Sequence, residues 1–269
     1  MTSPSYRRLT GTAAQNYEQY FVPAIATPVS GDLLEAADLK QGEHVLDVAC
    51  GTGLIARLAA GRVGPGGGVT GIDLSPDMIE VARSIDVADG APIRWHVGDA
   101  AALPFNDDDY DVILCQMGLM FMEDRPAALA EMRRVLRPGG RIVINTPGAM
   151  QPVLQIMEQA LAQHINPQLG GFVRAVFSMP DPEPLAALLR DAGLSDVWSK
   201  VVVTTLHLPP PAEFLWGYIS VTPMAPIVAG APEEAQAAME RQVVERSEPY
   251  MVDGRTRVEQ PMVLAGGRK

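Results

Sequence analysis

The stretch His44-Val45-Leu46-Asp47-Val48-Ala49-Cys50-Gly51-Thr52-Gly53-Leu54-Ile55-Ala56 joins an apolar run to the opening of a helical pattern through a tight glycine turn. Glycine lets a backbone take positive φ and approach a ligand closely, so Gly51 and Gly53 mark a place where the chain could cradle one. Gly51-x-Gly53-x-x-Ala56 satisfies the loose dinucleotide fingerprint, and Asp73 follows about 20 residues on, where an acid that holds a ribose belongs. The same glycines also suit a plain βα turn in any doubly wound fold. Asp47 separates the ligand readings. A carboxylate inside an apolar strand is unfavourable unless it meets a donor or a cation. It would repel an anionic pyrophosphate and attract an ammonium or sulfonium centre, directly or through the amides of the glycine loop. This favours a cationic adenosyl ligand over NAD.

Here the chain resembles a known family. Asp47-Val48-Ala49-Cys50-Gly51-Thr52-Gly53 is similar to the E/D-x-x-x-G-x-G signature of the class I S-adenosylmethionine-dependent methyltransferases. Gly71-Ile72-Asp73-Leu74-Ser75-Pro76-Asp77-Met78 resembles the family's second-strand end, and Gly98-Asp99-Ala100, followed by Leu103-Pro104-Phe105, resembles its third. Arg134-Val135-Leu136-Arg137-Pro138-Gly139-Gly140 resembles the turn before the fifth strand. The subgroup it is most similar to is the type 11 small-molecule group, which includes the ubiquinone- and menaquinone-biosynthesis methyltransferases. The resemblance stops near residue 147 and names no acceptor. It implies that S-adenosylmethionine is the cofactor and S-adenosylhomocysteine the product. It also implies that Asp73 accepts from both ribose hydroxyls, with Leu74 and Met78 beside it. Asp99 then accepts from the adenine amino group, after Gly98, and the Ala100 amide faces the ring. Asp47, Ala49, Gly51 and Gly53 shape the loop under the methionine moiety, Gln116 and Met117 face the sulfonium or the acceptor, and Tyr20 closes over the cofactor from the N-terminal side.

Other chemistry-bearing residues have bland readings as well. Tyr17, Tyr20 and Phe21 offer aromatic faces that suit a sulfonium, and at helical spacing they are equally a packing face. Met120, Phe121 and Met122 could extend an apolar wall or fill a core. His44 and His96 open or lie in strands. His164 and His207 fall at insertion boundaries and are the candidates for a general base toward an oxygen acceptor, although methyl transfer from a sulfonium can proceed without one. Cys50 and Cys115 read as small buried hydrophobes. Asp107-Asp108-Asp109 reads as a solvated turn, and no His, Cys and carboxylate spacing calls for a metal.

The elements that must position these residues alternate. Short apolar runs at His44–Ala49, Gly68–Ile72, Ile93–Val97, Tyr110–Cys115 and Arg141–Thr146 are separated by helical patterns at Leu54–Ala60, Pro76–Val87 (capped by Ser75) and Pro126–Leu136. Strand alternating with helix predicts a parallel sheet flanked by helices. Arg137-Pro138-Gly139-Gly140 is read as a helix stop and turn. Further on, helices are expected at Val153–Ile165, Glu183–Ala192, Ala212–Ser220 and Glu233–Ser247. A Gly/Pro-punctuated stretch runs from Asn166 to Pro182, and Pro209-Pro210-Pro211 stops a strand at Val197–Leu208. The resemblance makes Val197–Leu208 the sixth strand and Gln260–Ala265 an antiparallel final strand between the fifth and sixth. The expected fold is a Rossmann-like, doubly wound, mostly parallel seven-stranded sheet. Residues 1–41 are read as a helical cap segment, and 42–269 as the cofactor-binding domain with cap insertions at about 147–182 and 209–257.

The 269 residues carry 21 Lys+Arg against 32 Asp+Glu, a formal charge of −11, which is the wrong sign for tracking a phosphate backbone. A small-molecule substrate is expected instead of nucleic acid. Two cysteines, no signal-peptide pattern at the start and no long apolar run suggest a reducing, cytoplasmic setting without a membrane span. Phe172, Phe177, Trp216 and Tyr218 in the insertions suit a lid over a hydrophobic acceptor, a homodimer contact or plain packing. The expected function is methyl transfer to an oxygen, nitrogen or carbon nucleophile. The alternatives are a non-catalytic ligand-binding protein of the same fold and an NAD-dependent oxidoreductase.

Overall fold

The five apolar runs form five parallel strands: β1 (His44–Val48), β2 (Gly68–Asp73), β3 (Ile93–Val97), β4 (Tyr110–Gln116) and β5 (Leu136–Pro147). This is a computed structural model that describes residues 11–86 and 90–269. The expected helix end at Val87 and the first ten residues of the expected cap segment lie outside the described residues. Three more strands follow, β6 (Ser195–Leu208), β7 (Met251–Val252) and β8 (Arg255–Arg268). The sheet order is β3-β2-β1-β4-β5-β8-β6, with β7 paired to β8. The last strand runs antiparallel to β5, from Arg141 opposite Arg268 to Pro147 opposite Met262, and it lies between β5 and β6 as expected. Eight strands replace the expected seven because β7 is too short to leave a periodic signal.

Two compact units share the chain. One comprises Val29–Gly148, Met179–Val202 and Met262–Lys269; the other comprises Met1–Pro28, Ala149–Ser178 and Val203–Pro261. In the first, the helix Leu54–Val63 buries Ile55, Ala56, Ala59, Ala60 and Val63, an i, i+4, i+8 stripe of mostly small residues. This stripe joins Val45, Val112, Leu114, Val143 and Leu264 from four strands, and Leu33, Leu34 and Ala37 from the helix Ser30–Ala37, in one core. Ser75 caps the helix Pro76–Ser84 as expected, and Asp124 caps Arg125–Val135.

Arg137-Pro138-Gly139-Gly140 departs from the expected turn. The chain is already extended at Leu136, which pairs with Tyr110, and the next pair is Arg141 with Val112. The Pro-Gly-Gly stretch is therefore a bulge inside β5, with Gly139 at φ 78°.

In the second unit, the helices Pro152–His164, Pro211–Ser220 and Glu233–Ser247 match the expected ones to within two residues at each end. The Gly/Pro-punctuated stretch contains an unexpected helix, Leu169–Val176. Its glycines serve packing: a Cβ on Gly170 would lie 2.6 Å from the Glu158 carboxylate on the neighbouring helix. The N-terminal segment forms a short helix, Ala13–Asn16, that continues as a wide-wound turn of helix, Tyr17–Ala26, around Pro23.

Candidate functional site

The order of β1 to β5 reverses direction between β1 and β4, and in open α/β sheets ligands bind beyond the carboxyl ends of strands at such a switch point. The glycine loop leaves β1 there. Ala49, Gly51 and Gly53 all have positive φ, at 55°, 54° and 87°. Gly53 opens the helix Leu54–Val63 without a side chain to cap it. Asp47 supplies the cap from within β1: it is 1% exposed, and its Oδ2 accepts from the Ala56 amide at 2.9 Å. Burial pushes its carboxyl up to about 8; the Ala56 amide pulls the other way, and the Asp73 charge adds to the rise. Asp47 therefore acts on the start of the helix. Trp95 on β3 lies where a Cβ on Gly53 or Gly71 would be, which requires glycine at both positions.

Asp73 ends β2. One of its carboxylate oxygens accepts from the Gly51 amide at 2.8 Å and the other from the Ser75 amide at 2.9 Å. Burial raises its pKa, and the Ser75 and Gly51 amides oppose that rise. Each carboxylate oxygen accepts two hydrogen bonds, so the pair can take a vicinal diol while keeping both backbone contacts. Leu74, the next residue, is 71% exposed, a large apolar side chain left uncovered at the sheet edge. Met78 donates its amide to Ser75 Oγ at 3.4 Å, so its helix starts beside Asp73. Gly98 donates its amide to the Asp73 carbonyl at 2.9 Å, which ties the β3 end to the β2 end. Asp99 is exposed and closes its own turn by accepting from the Ala101 amide at 2.9 Å, beside a half-buried Ala100.

At the end of β4, Gln116 is half-buried and Met117 takes a left-handed backbone with φ 49°. Asn145, at the carboxyl end of β5, contacts both; its side chain accepts from the Met117 amide at 3.1 Å and donates to Gln116 Oε1 at 3.3 Å. Asn145 belongs to no motif; in the sequence it is only a lone amide in the apolar run Arg141–Thr146, which does not show its partners. Met120 is buried, whereas Phe121 is 54% exposed. Burial pushes the Cys115 thiol up to about 12, and Cys50 is raised as well; both are free and buried.

Tyr17, Tyr20, His164, His207, Trp216 and Tyr218 belong to the other unit. Tyr20 packs with its Cβ 3.5 Å from the position of a Cβ on Gly217, and Tyr17 stacks on Phe21 with ring centroids 4.8 Å apart. His164 Nε2 lies 2.6 Å from Gln242 Oε1, so it joins the helices Pro152–His164 and Glu233–Ser247. His207 is exposed on β6. Trp216 and Tyr218 are buried. Asp107 pairs with Arg134 at 2.8 Å and Asp108 with Lys269 at 2.7 Å. Among the described residues, no group of three His, Cys, Asp or Glu could hold a metal ion, and no helix is long and apolar enough to cross a membrane.

Comparison with known proteins places the chain in a family. The profile of a methyltransferase domain family matches residues 45–140. A demethylmenaquinone methyltransferase of Thermus thermophilus is 34% identical over 168 residues, covering 58% of this chain and 76% of that protein. The ubiquinone/menaquinone biosynthesis C-methyltransferase UbiE of Paracoccus denitrificans is 36% identical over 172 residues, covering 59% of this chain and 68% of that protein. In fold, the chain is similar to a phosphoethanolamine N-methyltransferase of Haemonchus contortus solved with S-adenosyl-L-methionine. That match has TM-score 0.57 and 18% identity, over 95% of this chain and 56% of that one. An Aquifex aeolicus SAM-dependent methyltransferase gives TM-score 0.54 and 18% identity, over 72% of this chain and 94% of that one.

Proposed function

Because the chain belongs to the class I S-adenosylmethionine-dependent methyltransferases and transfers a methyl group from S-adenosylmethionine to a small-molecule acceptor, we propose that the cofactor lies along the carboxyl ends of β1 to β4. The observation that carries this is Asp73, whose two oxygens are both oriented by backbone amides of the loops that flank them. Asp73 would hold the ribose, Leu74 would cover one face of the adenine, and Asp99 with the Ala100 amide would read its edge. Gly51 and Gly53 would let the backbone approach the methionine moiety, on a loop that Asp47 anchors through Ala56. Gln116 and Met117 would border the reacting end.

S-adenosylmethionine supplies a methyl group on a positively charged sulfur that is already a good leaving group. The chain's part is then alignment of the acceptor and exclusion of water. His164, held by Gln242, and the exposed His207 are not required as bases in this scheme. We propose an apolar, electron-rich acceptor of the phenol or quinol type. Support comes from the exposed Phe121 and from the names of the curated relatives. The charge of −11 weighs against phosphate-bearing acceptors and nucleic acid. The two buried thiols fit a cytoplasmic setting, and burial of Trp216 and Tyr218 supports packing over a homodimer contact for these rings.

Calorimetric titration with S-adenosylmethionine, S-adenosylhomocysteine and NAD tests the site. Both adenosyl ligands are expected to bind and NAD is not. Asp73→Ala is expected to weaken binding by about 1.5–3 kcal/mol, the scale of charge-assisted hydrogen bonds; unchanged affinity would remove the ribose assignment. For the acceptor, labelled S-adenosylmethionine is offered with a short-chain demethylnaphthoquinol and, separately, with phosphoethanolamine. Label transfer to phosphoethanolamine alone would overturn the apolar reading.

A further inference from the structure

Between β3 and β4 the chain crosses 98–109 without a helix or a strand, so its buried backbone groups need partners from elsewhere. Asp99 closes the first turn itself: its side chain accepts from the Ala101 amide and its carbonyl from the Ala102 amide at 3.1 Å. From the buried Leu103 onward, two side chains of the helix Arg125–Val135 take over. The Leu103 amide donates to Glu131 Oε2 at 2.9 Å, and the Leu103 carbonyl accepts from Arg134 Nη2 at 3.0 Å. Arg134 Nη1 donates to the Phe105 carbonyl and to Asp107 Oδ1, both at 2.8 Å. Its Nε and Nη2 each donate to Glu131 at 2.7 Å. A guanidinium has five N–H groups and these bonds use them all, whereas a lysine has three and no planar fork. The bond from Arg134 holds the Glu131 carboxyl below the usual carboxylate range, so the acceptor for Leu103 stays ionised. In the stretch 134–140 the β5 bulge explains the Pro-Gly-Gly part, and Arg134 has this separate task.

We infer that Arg134 and Glu131 are positioning residues for base recognition: they clamp Leu103, and through it hold the Asp99 turn in register with the adenine edge. Asp99 is exposed, and its turn is pinned at two ends, by the Gly98 amide on the Asp73 carbonyl and by the Leu103 clamp. With only the first end held, the turn can pivot and carry the Asp99 carboxylate and the Ala100 amide out of line. This inference rests on the reading that Asp99 and Ala100 meet the adenine. The far end of the segment is held by backbone alone: the Asp108 amide donates to the Arg134 carbonyl at 3.2 Å and the Asp109 amide to the Val135 carbonyl at 2.9 Å. The helix itself buries Ala128, Leu129, Met132 and Val135, so exchanging the half-buried Arg134 or Glu131 leaves its packing in place.

The test compares S-adenosylhomocysteine with S-inosylhomocysteine, whose base carries an oxygen in place of the amino group and an N–H at N1. Both base contacts are reversed in the second ligand, and the rest of the molecule is the same. Both are titrated calorimetrically, the weaker by competition, against the full-length wild type, Arg134→Lys, Glu131→Gln and Asp99→Ala. The wild type is expected to prefer the adenine ligand by at least about tenfold. Arg134→Lys is expected to lose about tenfold for S-adenosylhomocysteine. Glu131→Gln, which keeps an oxygen for the Leu103 amide, should lose about threefold. Affinity for S-inosylhomocysteine is expected to stay within about twofold in both, which also reports that the variants are folded. Equal losses for the two ligands would mean a general loosening and overturn the inference, as would no loss. If Arg134→Lys does not fold, Glu131→Gln still gives the comparison between ligands. A wild type without preference, or an Asp99→Ala variant that keeps the wild-type preference, strikes the adenine reading itself.

Discussion

Asp47 shows how one residue can carry an energetic burden that the rest of the site uses. Its carboxyl is buried in β1 with a single amide partner, and burial pushes its pKa up to about 8. A carboxyl raised in the folded state holds its proton while the unfolded chain has lost it. Its contribution to stability is therefore complete below the ordinary carboxylate range and is lost as pH rises through about 8. Wild-type urea midpoints are expected to fall between pH 5 and about 8.5. Asp73, also raised by burial, contributes with the same sign. Asp47→Asn keeps an oxygen for the Ala56 amide and has no proton to lose, so its midpoints should fall less steeply; parallel curves would assign the titration elsewhere. A second consequence concerns the ligand. The sulfonium of S-adenosylmethionine favours an ionised carboxylate nearby, whereas S-adenosylhomocysteine carries no such charge. Binding enthalpies at pH 7 in two buffers of different ionisation enthalpy should report proton release with the first ligand, less with the second, and none that differs between them in Asp47→Asn. Equal release in wild type with both ligands would separate Asp47 from the sulfonium.

At the scale of elements, the glycine loop is fitted against β3. A Cβ on Gly53 would run into the Trp95 ring, and the backbone there has φ 87°. Gly139, in the β5 bulge, has φ 78° but open space around it. Gly139→Ala is expected to lose only the left-handed term, about 1–2 kcal/mol. Gly53→Ala adds a steric term, of about 1–3 kcal/mol by the scale of overpacked cores. Thermal unfolding of the two variants measures the difference, and equal losses would mean that Trp95 moves aside freely. The contrast also explains what was legible in the sequence. Gly51, Gly53, Asp47 and Asp73 could be read because local spacing encodes them, and Glu233–Ser247 could be read because its helical pattern starts cleanly after Pro232. The placement of β8 between β5 and β6 came from family resemblance; its own apolar run does not say where it pairs. Asn145 was not legible because its partners Met117 and Val29 are distant in the chain. The helix Leu169–Val176 was hidden by Gly170 and Gly171, of which Gly170 is small because Glu158 packs there.

For the whole molecule, the sheet depends on pairing between segments far apart in the chain. The unit that holds β1 to β5 is built from three stretches of chain and is completed only by Met262–Lys269. These residues fill the gap between β5 and β6 and bring Leu264 into the core shared with Val45, Val112 and Val143. The final residue is tied in too: the Lys269 amide donates to the Gly140 carbonyl at 3.1 Å, and its carbonyl accepts from the Gly139 amide at 2.9 Å. Its Nζ reaches Asp108 at 2.7 Å and the Arg134 carbonyl at 3.0 Å. Lys269→Ala removes only the last two contacts and should lose about 1 kcal/mol, near the upper end for such surface pairs. Truncation after Pro261 is a different matter. It strips β5 of its antiparallel partner and leaves an apolar edge, with Ile142 and Ile144 in it, free to pair with other chains. The truncated chain is expected to elute as aggregate on size exclusion, to unfold without a cooperative transition and to lose S-adenosylmethionine binding, although Asp47, Asp73, Asp99 and Gln116 are all retained. A monomeric truncated chain that still binds the cofactor would show that β1 to β5 form the site without β8.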